Sequence, residues 1–211
     1  SSGYEVAVQR HNEHFLPVFF GLYLLQLQSF GENYFLLLLV SNLFHALNAI
    51  LLGLLLTRIQ GVQSGISWPA KVGAILFLTS SLNSEIMQWA FVQSIIFAQT
   101  TIYAVLLIAW SYLNQARPRL LLAIFGLSLL TPLLFGNGFV LLPLTLIVLV
   151  AGQLINLNWN FKLLISNCLR KIIIVALVVA FAMCLAALLY LSFKDGAGSS
   201  LNDINHRINA K

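Results

Sequence analysis

The sequence predicts an all-α, polytopic transmembrane helix bundle of about six spanning helices, with one further helix in the outer interface. Three observations lead there. Of 211 residues, 60% are hydrophobic and 8% charged, and the mean hydropathy is +0.92. A soluble domain carries about 25% charged residues, so this chain cannot cover itself with a water-compatible surface. A soluble enzyme, a nucleic-acid module and a disordered regulator are thereby excluded. Second, apolar segments recur at lengths near the roughly 20 residues that cross about 30 Å of hydrocarbon. Third, the charges separate by sign once those segments are taken as spans.

Residues 1–33 read as an outer-face loop with an interfacial helix. The stretch 15–29 is apolar but contains Pro17, Gln26 and Gln28. Were it to cross, Glu13 and Glu32 would lie on opposite faces, so it is expected to lie in the interface. Residues 34–193 form the bundle, with spans at 34–57, 72–84, 90–112, 120–135, 139–157 and 172–193. The segment 72–84 is short, about 20 Å as a helix, and crosses only if Lys71 snorkels and Trp68 sits at the interface. Charge decides in its favour. With it, Arg58, Lys71, Arg117, Arg119, Lys162, Arg170 and Lys171 share one side, which the positive-inside rule makes cytoplasmic. All six acids (Glu5, Glu13, Glu32, Glu85, Asp195, Asp203) then fall on the other side. Without it, Glu85 moves inside and the Arg117/Arg119 loop outside.

The net charge of +5 is thus a matter of membrane topology, not of nucleic-acid binding, and both termini are expected outside. Pro132 and Pro143 are expected to kink their helices, and Gly136 with Gly138 to make an irregular outer turn. Trp159 reads as an interface anchor. The last span has no polar face and is expected to be peripheral, facing lipid or a partner subunit. The tail 194–211 opens on a run, 195–200, that reads as flexible. Cys168 and Cys184 have no ligand spacing, so neither a disulfide nor a zinc site is expected. The start at Ser1 rather than Met points to a removed upstream segment or a longer protein.

Polar groups inside a bilayer are costly and therefore informative. On the first span Ser41, Asn42, His45 and Asn48 fall within about 120° of one face, opposite a nearly continuous leucine face. That face should point into the bundle, serving either interhelical hydrogen bonds, worth about 0.6 kcal/mol each, or a substrate. Glu85, Trp89, Gln93 and Thr100 share a second face, with Glu85 and Trp89 at the outer mouth. A carboxylate beside an indole suits a sugar-binding rim and equally an interface anchor. The cluster Arg10, His11, Asn12, Glu13 and His14 gathers acid, bases and a cation at the outer surface. It reads as a solvated loop, as acid–base machinery or as an anion site. His11 and His14 alone do not make a metal site.

The runs Asn12-Glu13-His14-Phe15-Leu16-Pro17, Phe30-Gly31-Glu32-Asn33-Tyr34 and Ser41-Asn42-Leu43-Phe44-His45-Ala46-Leu47-Asn48-Ala49 resemble part of the GT-C glycosyltransferases. These are the polytopic enzymes that use lipid-linked sugars, including the protein O-mannosyltransferase-like group. The stretch 80–93 with Glu85 and Trp89, and the Gly- and Pro-containing stretch 133–143, are similar too. The resemblance covers roughly residues 10–150. It implies sugar transfer from a polyprenyl-phosphate donor at the outer or luminal face. Glu13, His14 and Glu85 would be catalytic. Arg10, His11, Asn12, Asn42, His45, Asn48, Trp89 and Gln93 would bind substrate. No cofactor is evident, although some relatives use a divalent cation. The family's first-loop aspartate and the helix before it have no counterpart, so the resemblance implies an internal piece or a shortened, inactive relative.

The alternative is a non-catalytic accessory subunit of a larger integral-membrane complex, contacting membrane lipid and partner subunits. A transporter is third, since His45 is the only ionisable residue placed near a midplane.

Overall fold

The computed structural model describes residues 17–31, 33–62, 65–80 and 93–209. Every regular element among them is helical. α1 is Pro17–Phe30, α2 Tyr34–Ile59, α3 Trp68–Thr79, α4 Gln93–Gln115, α5 Pro118–Leu134, α6 Leu141–Asn156 and α7 Leu169–Asn209. A 3-10 stretch, Gly136–Val140, joins α5 to α6. A short turn, Phe161–Leu163, and a π-helical turn, Leu164–Cys168, lead into α7.

Local chemistry sets the starts. The Asn33 side chain caps α2, accepting from the Leu36 N–H at 3.3 Å, and Ser67 caps α3 by accepting from the Ala70 N–H at 3.3 Å. Pro118 opens α5, where a missing N–H costs nothing. The same reasoning corrects the expectation for Pro143: it lies in the first turn of α6, so no interior hydrogen bond is lost there. Pro132 does lie inside its helix.

Four helical stretches are long and apolar enough to cross a membrane: Tyr34–Ile59, Gln93–Gln115, Gly138–Asn156 and Phe161–Ser192. Their outward faces are apolar rather than charged, as with Leu39, Leu43 and Leu47 on α2 and Leu177, Phe181 and Leu188 on α7. By length and composition this is an integral membrane protein. Trp68–Thr79 and Pro118–Leu134 are apolar but shorter, about 18 and 26 Å at 1.5 Å per residue.

Specific contacts give the direction of each helix. α3 folds back antiparallel on α2: the Ser67 N–H donates to the Thr57 hydroxyl at 3.1 Å, and Phe77 stacks on His45. Small residues let this pair approach closely. A Cβ on Gly53 would touch Ala74 Cβ at 3.6 Å, and one on Gly73 would meet Leu56 at 3.1 Å. α4 then runs parallel to α2. Its first residue, Gln93, bonds the Leu37 carbonyl near the start of α2, and Ile96 and Thr100 lie beside Asn48. Further on, Trp110 and Ile59 meet at Gly152 of α6. Two successive long helices run parallel only if the chain between them returns, and α3 runs in that returning direction. α5 is antiparallel to α4 through Thr101 and Thr131. α6 descends with Gly152 against the Trp110 indole, where an added Cβ would come within 2.6 Å of the ring. At the far end the Lys171 ammonium donates to the Leu113 carbonyl at 2.5 Å, fixing the start of α7 beside the end of α4.

Arg58, Lys71, Arg117, Arg119, Lys162, Arg170 and Lys171 consequently gather at one end of the bundle, called here the basic end. At the opposite end α1 seats Phe19 against Phe97, Ala98 and Leu134, with Val40 and Phe44 alongside. The main core is built where α4, α5, α6 and α7 meet, from residues including Val105, Trp110, Ile124, Leu149, Val175 and Val179.

The last helix buries one face, through Ile172, Val175, Val179, Ala182, Met183 and Ala186, and leaves the other exposed, through Ile173, Leu177, Phe181, Leu188 and Leu191. Shape, rather than polarity, selects the inner face, since apolar helices associate in lipid through close packing. The flexible run expected at 195–200 is corrected, because the helix backbone continues through it to Asn209.

Candidate functional site

The polar groups of α2 and α4 meet in a seam, closed on one side by α3. Ser41, His45 and Asn48 are buried, at 0%, 2% and 0% exposure. At 100° per residue they occupy only about a 60° arc, a strip narrow enough to be covered by one neighbouring helix. That neighbour is α4. The Asn48 Nδ2 donates to the Ile96 carbonyl at 3.0 Å, and its Oδ1 accepts from the Thr100 hydroxyl at 2.7 Å. Both halves of the amide are therefore used. Toward the start of α2, the Gln93 Nε2 donates to the Leu37 carbonyl at 2.7 Å.

His45 is held differently. Its ring stacks on Phe77 of α3 at a centroid distance of 4.8 Å and an interplanar angle of 26°. Phe77 in turn meets Tyr103 of α4 edge-on at 6.3 Å. The buried Nε2 has no hydrogen-bond partner. Gln93 presents a second such atom, since its Oε1 is buried and unpartnered while its Nε2 is engaged. A buried polar atom left unpaired costs about 1–3 kcal/mol. His45 and Gln93 thus each hold a buried polar atom in need of a partner, along a seam whose two reference points, Leu37 and His45, are about 12 Å apart on α2.

Asn42 is not part of this seam. Its residue is exposed, and its Nδ2 donates to its own helix at Leu38 O, 2.8 Å away. The physical reason is angular: Asn42 stands about 100° from Ser41, past the edge of the strip that α4 covers. The expectation that it points into the bundle with Ser41, His45 and Asn48 is corrected. Arg10, His11, Asn12, Glu13, His14, Glu85 and Trp89 lie outside the described residues. Of the residues expected to bind substrate, the structure brings together His45, Asn48 and Gln93.

Several participants were not read from the sequence. Phe77 and Tyr103 form the aromatic wall behind His45, and nothing in their local sequence sets them apart from other apolar positions. Thr101 and Thr131 make a second polar link, with the Thr131 hydroxyl donating to the Thr101 hydroxyl at 2.9 Å. Threonines opposed across two adjacent apolar segments were a legible signal. Among the described residues, no three His, Cys, Asp or Glu side chains come together. No family model matches the chain, and neither a curated protein nor a solved structure is found to match it.

Proposed function

We propose that this chain is the membrane portion of a GT-C-type glycosyltransferase that moves a sugar from a polyprenyl-phosphate donor at the outer or luminal face. The observation that carries this reading is the pair of buried polar atoms without partners, His45 Nε2 and Gln93 Oε1. A sugar is rich in hydroxyls, which both donate and accept, and is the natural complement of such a seam. The seam rises to the end where α2 and α4 begin, and in sequence Glu32 precedes α2 while Glu85 and Trp89 precede α4. On this reading Glu13, His14 and Glu85 activate the acceptor and assist departure of the phosphate. Arg10 and His11 neutralise its charge, and the isoprenoid tail lies along the leucine face of α2.

The six-span topology belongs to the same proposal. The parallel course of α2 and α4 supports it, because the chain returns between them through α3. α5 makes the equivalent return. With six spans, the basic end is cytoplasmic by the positive-inside rule and both termini lie outside, with α1 across the outer end.

The test uses the native protein in its membrane, supplied with a radiolabelled polyprenyl-phosphate sugar. Glu85→Gln should lower transfer at least about 100-fold, the usual scale for a general acid or base. Unchanged transfer in both Glu85→Gln and Glu13→Gln would sink the assignment. One observation favours a second reading, an accessory subunit: the continuous apolar outer face of α7, from Ile173 to Leu191, suits another membrane helix. Stable co-purification with a partner, together with indifference to Glu85→Gln, would select it.

A further inference from the structure

The basic end carries a feature that sugar transfer does not use. Lys171 is pinned to Leu113 O, four residues before Arg117, which stands on the tight turn between α4 and α5. Ala116 in that turn has a positive φ of 51°. The contact sets the start of α7, with Arg170 and Lys171, beside the end of α4, which Arg117 and Arg119 follow in sequence. The arginines are exposed. No Asp or Glu occurs among the described residues from 17 to 192, so none of these cations has a carboxylate partner there. Four like charges held together repel one another unless an anion joins them.

The surroundings say what kind of anion. Phe161, Leu163, Ile165 and Leu169 are exposed in the stretch that leads to Arg170, as is Leu122, three residues after Arg119. Trp159, at 65% exposure, is presented by a turn in which Asn158 and Trp159 both take positive φ, 49° and 61°. The Trp159 N–H bonds Leu154 O at 2.7 Å, which holds the turn in place. A soluble anion or a nucleic acid would meet this surface with its apolar half unmatched. A phospholipid matches both halves, with phosphate on the arginines, acyl chains along Ile165, Leu169 and Leu122, and indole at the headgroup level.

We propose that Arg117, Arg119, Arg170 and Lys171, with Trp159 beside them, form a binding site for the phosphate headgroup of an anionic membrane lipid. The site holds the α4–α5 turn and the start of α7 together at the leaflet on the basic end.

The experiment compares thermal unfolding of the full chain in neutral detergent with added phosphatidylglycerol, phosphatidylcholine or inorganic phosphate, and counts retained lipids by native mass spectrometry. Phosphatidylglycerol should raise the melting temperature and remain bound, while phosphatidylcholine should do neither. The triple variant Arg117→Gln/Arg119→Gln/Arg170→Gln should lose the shift, with retention falling about fivefold for each charge removed. Lys171 is left intact in it because that side chain also holds the helix ends. The double variant Arg58→Gln/Lys71→Gln, at the same end but on the α2–α3 hairpin, should keep the shift. An equal loss in the double variant would mean diffuse attraction and overturn the site. An equal shift with inorganic phosphate would overturn the lipid assignment.

Discussion

The α2–α4 seam and the α5–α6–α7 packing solve the same problem in opposite ways. In the seam, polar side chains reach across: Asn48 to Ile96 and Thr100, Gln93 to Leu37. Around α7, Val175, Val179, Ala182 and Ala186 are buried side chains that carry no polar atom. A bilayer removes the hydrophobic drive that joins helices in water, leaving close packing and hydrogen bonds. The first region relies on bonds with direction, the second on fit. The first leaves two atoms that a ligand could use, His45 Nε2 and Gln93 Oε1, and the second leaves one, the buried Ser128 Oγ of α5.

This contrast can be broken or sharpened by substitution, with unfolding measured by denaturing-detergent titration. The largest effect belongs to the region of fit. Gly152→Leu drives a side chain into the Trp110 indole, whose ring is already within 2.6 Å of the Cβ position. It should cost about 3 kcal/mol, the upper range for overpacking, and a near-neutral result would mean that α6 and α4 are not in contact. Next comes Asn48→Leu, which removes two interhelical bonds and should cost about 1 kcal/mol at roughly 0.6 kcal/mol each. A cost as large as that of Gly152→Leu would erase the distinction between the regions. His45→Phe is more pointed, because it keeps the stack on Phe77 and discards the unpaired Nε2. Stability should stay level or rise by up to about 1 kcal/mol, while sugar transfer falls. A marked loss of stability would show that Nε2 already has a partner. Smallest is Asn42→Leu, expected within about 0.5 kcal/mol and silent in transfer, since that amide serves only its own helix.

The same contrast explains what the sequence disclosed. The seam was legible because Ser41, His45 and Asn48 are rare residues in an apolar helix, and rarity plus a 100° step locates a face. The step was applied too generously, and Asn42 was swept in with its neighbours. The inner face of α7 was not legible, because hydropathy does not distinguish a buried Val179 from an exposed Leu177. Their difference is one of shape against α5 and α6. The wall behind His45 depends on Phe77 and Tyr103 coming from separate helices, a relation that no local pattern encodes. Gly152 could have been noticed, as a glycine inside an otherwise apolar helix often marks a close approach. The outer-face acids, on which the proposed chemistry rests, remain a matter for the transfer assay.

The close seating of α3 on α2 has a consequence for how this protein is made. Twelve residues, about 18 Å of helix, are too few to partition into a bilayer unaided, yet Gly53, Gly73 and Ala74 let α3 lie nearly backbone to backbone against a helix of 26 residues that can. On the proposed six-span topology, α3 enters the membrane as a passenger of α2, during synthesis, as one hairpin. Bulk at Gly53 or Gly73 would then be felt first by the insertion machinery, as a chain delivered with α4 facing the wrong way.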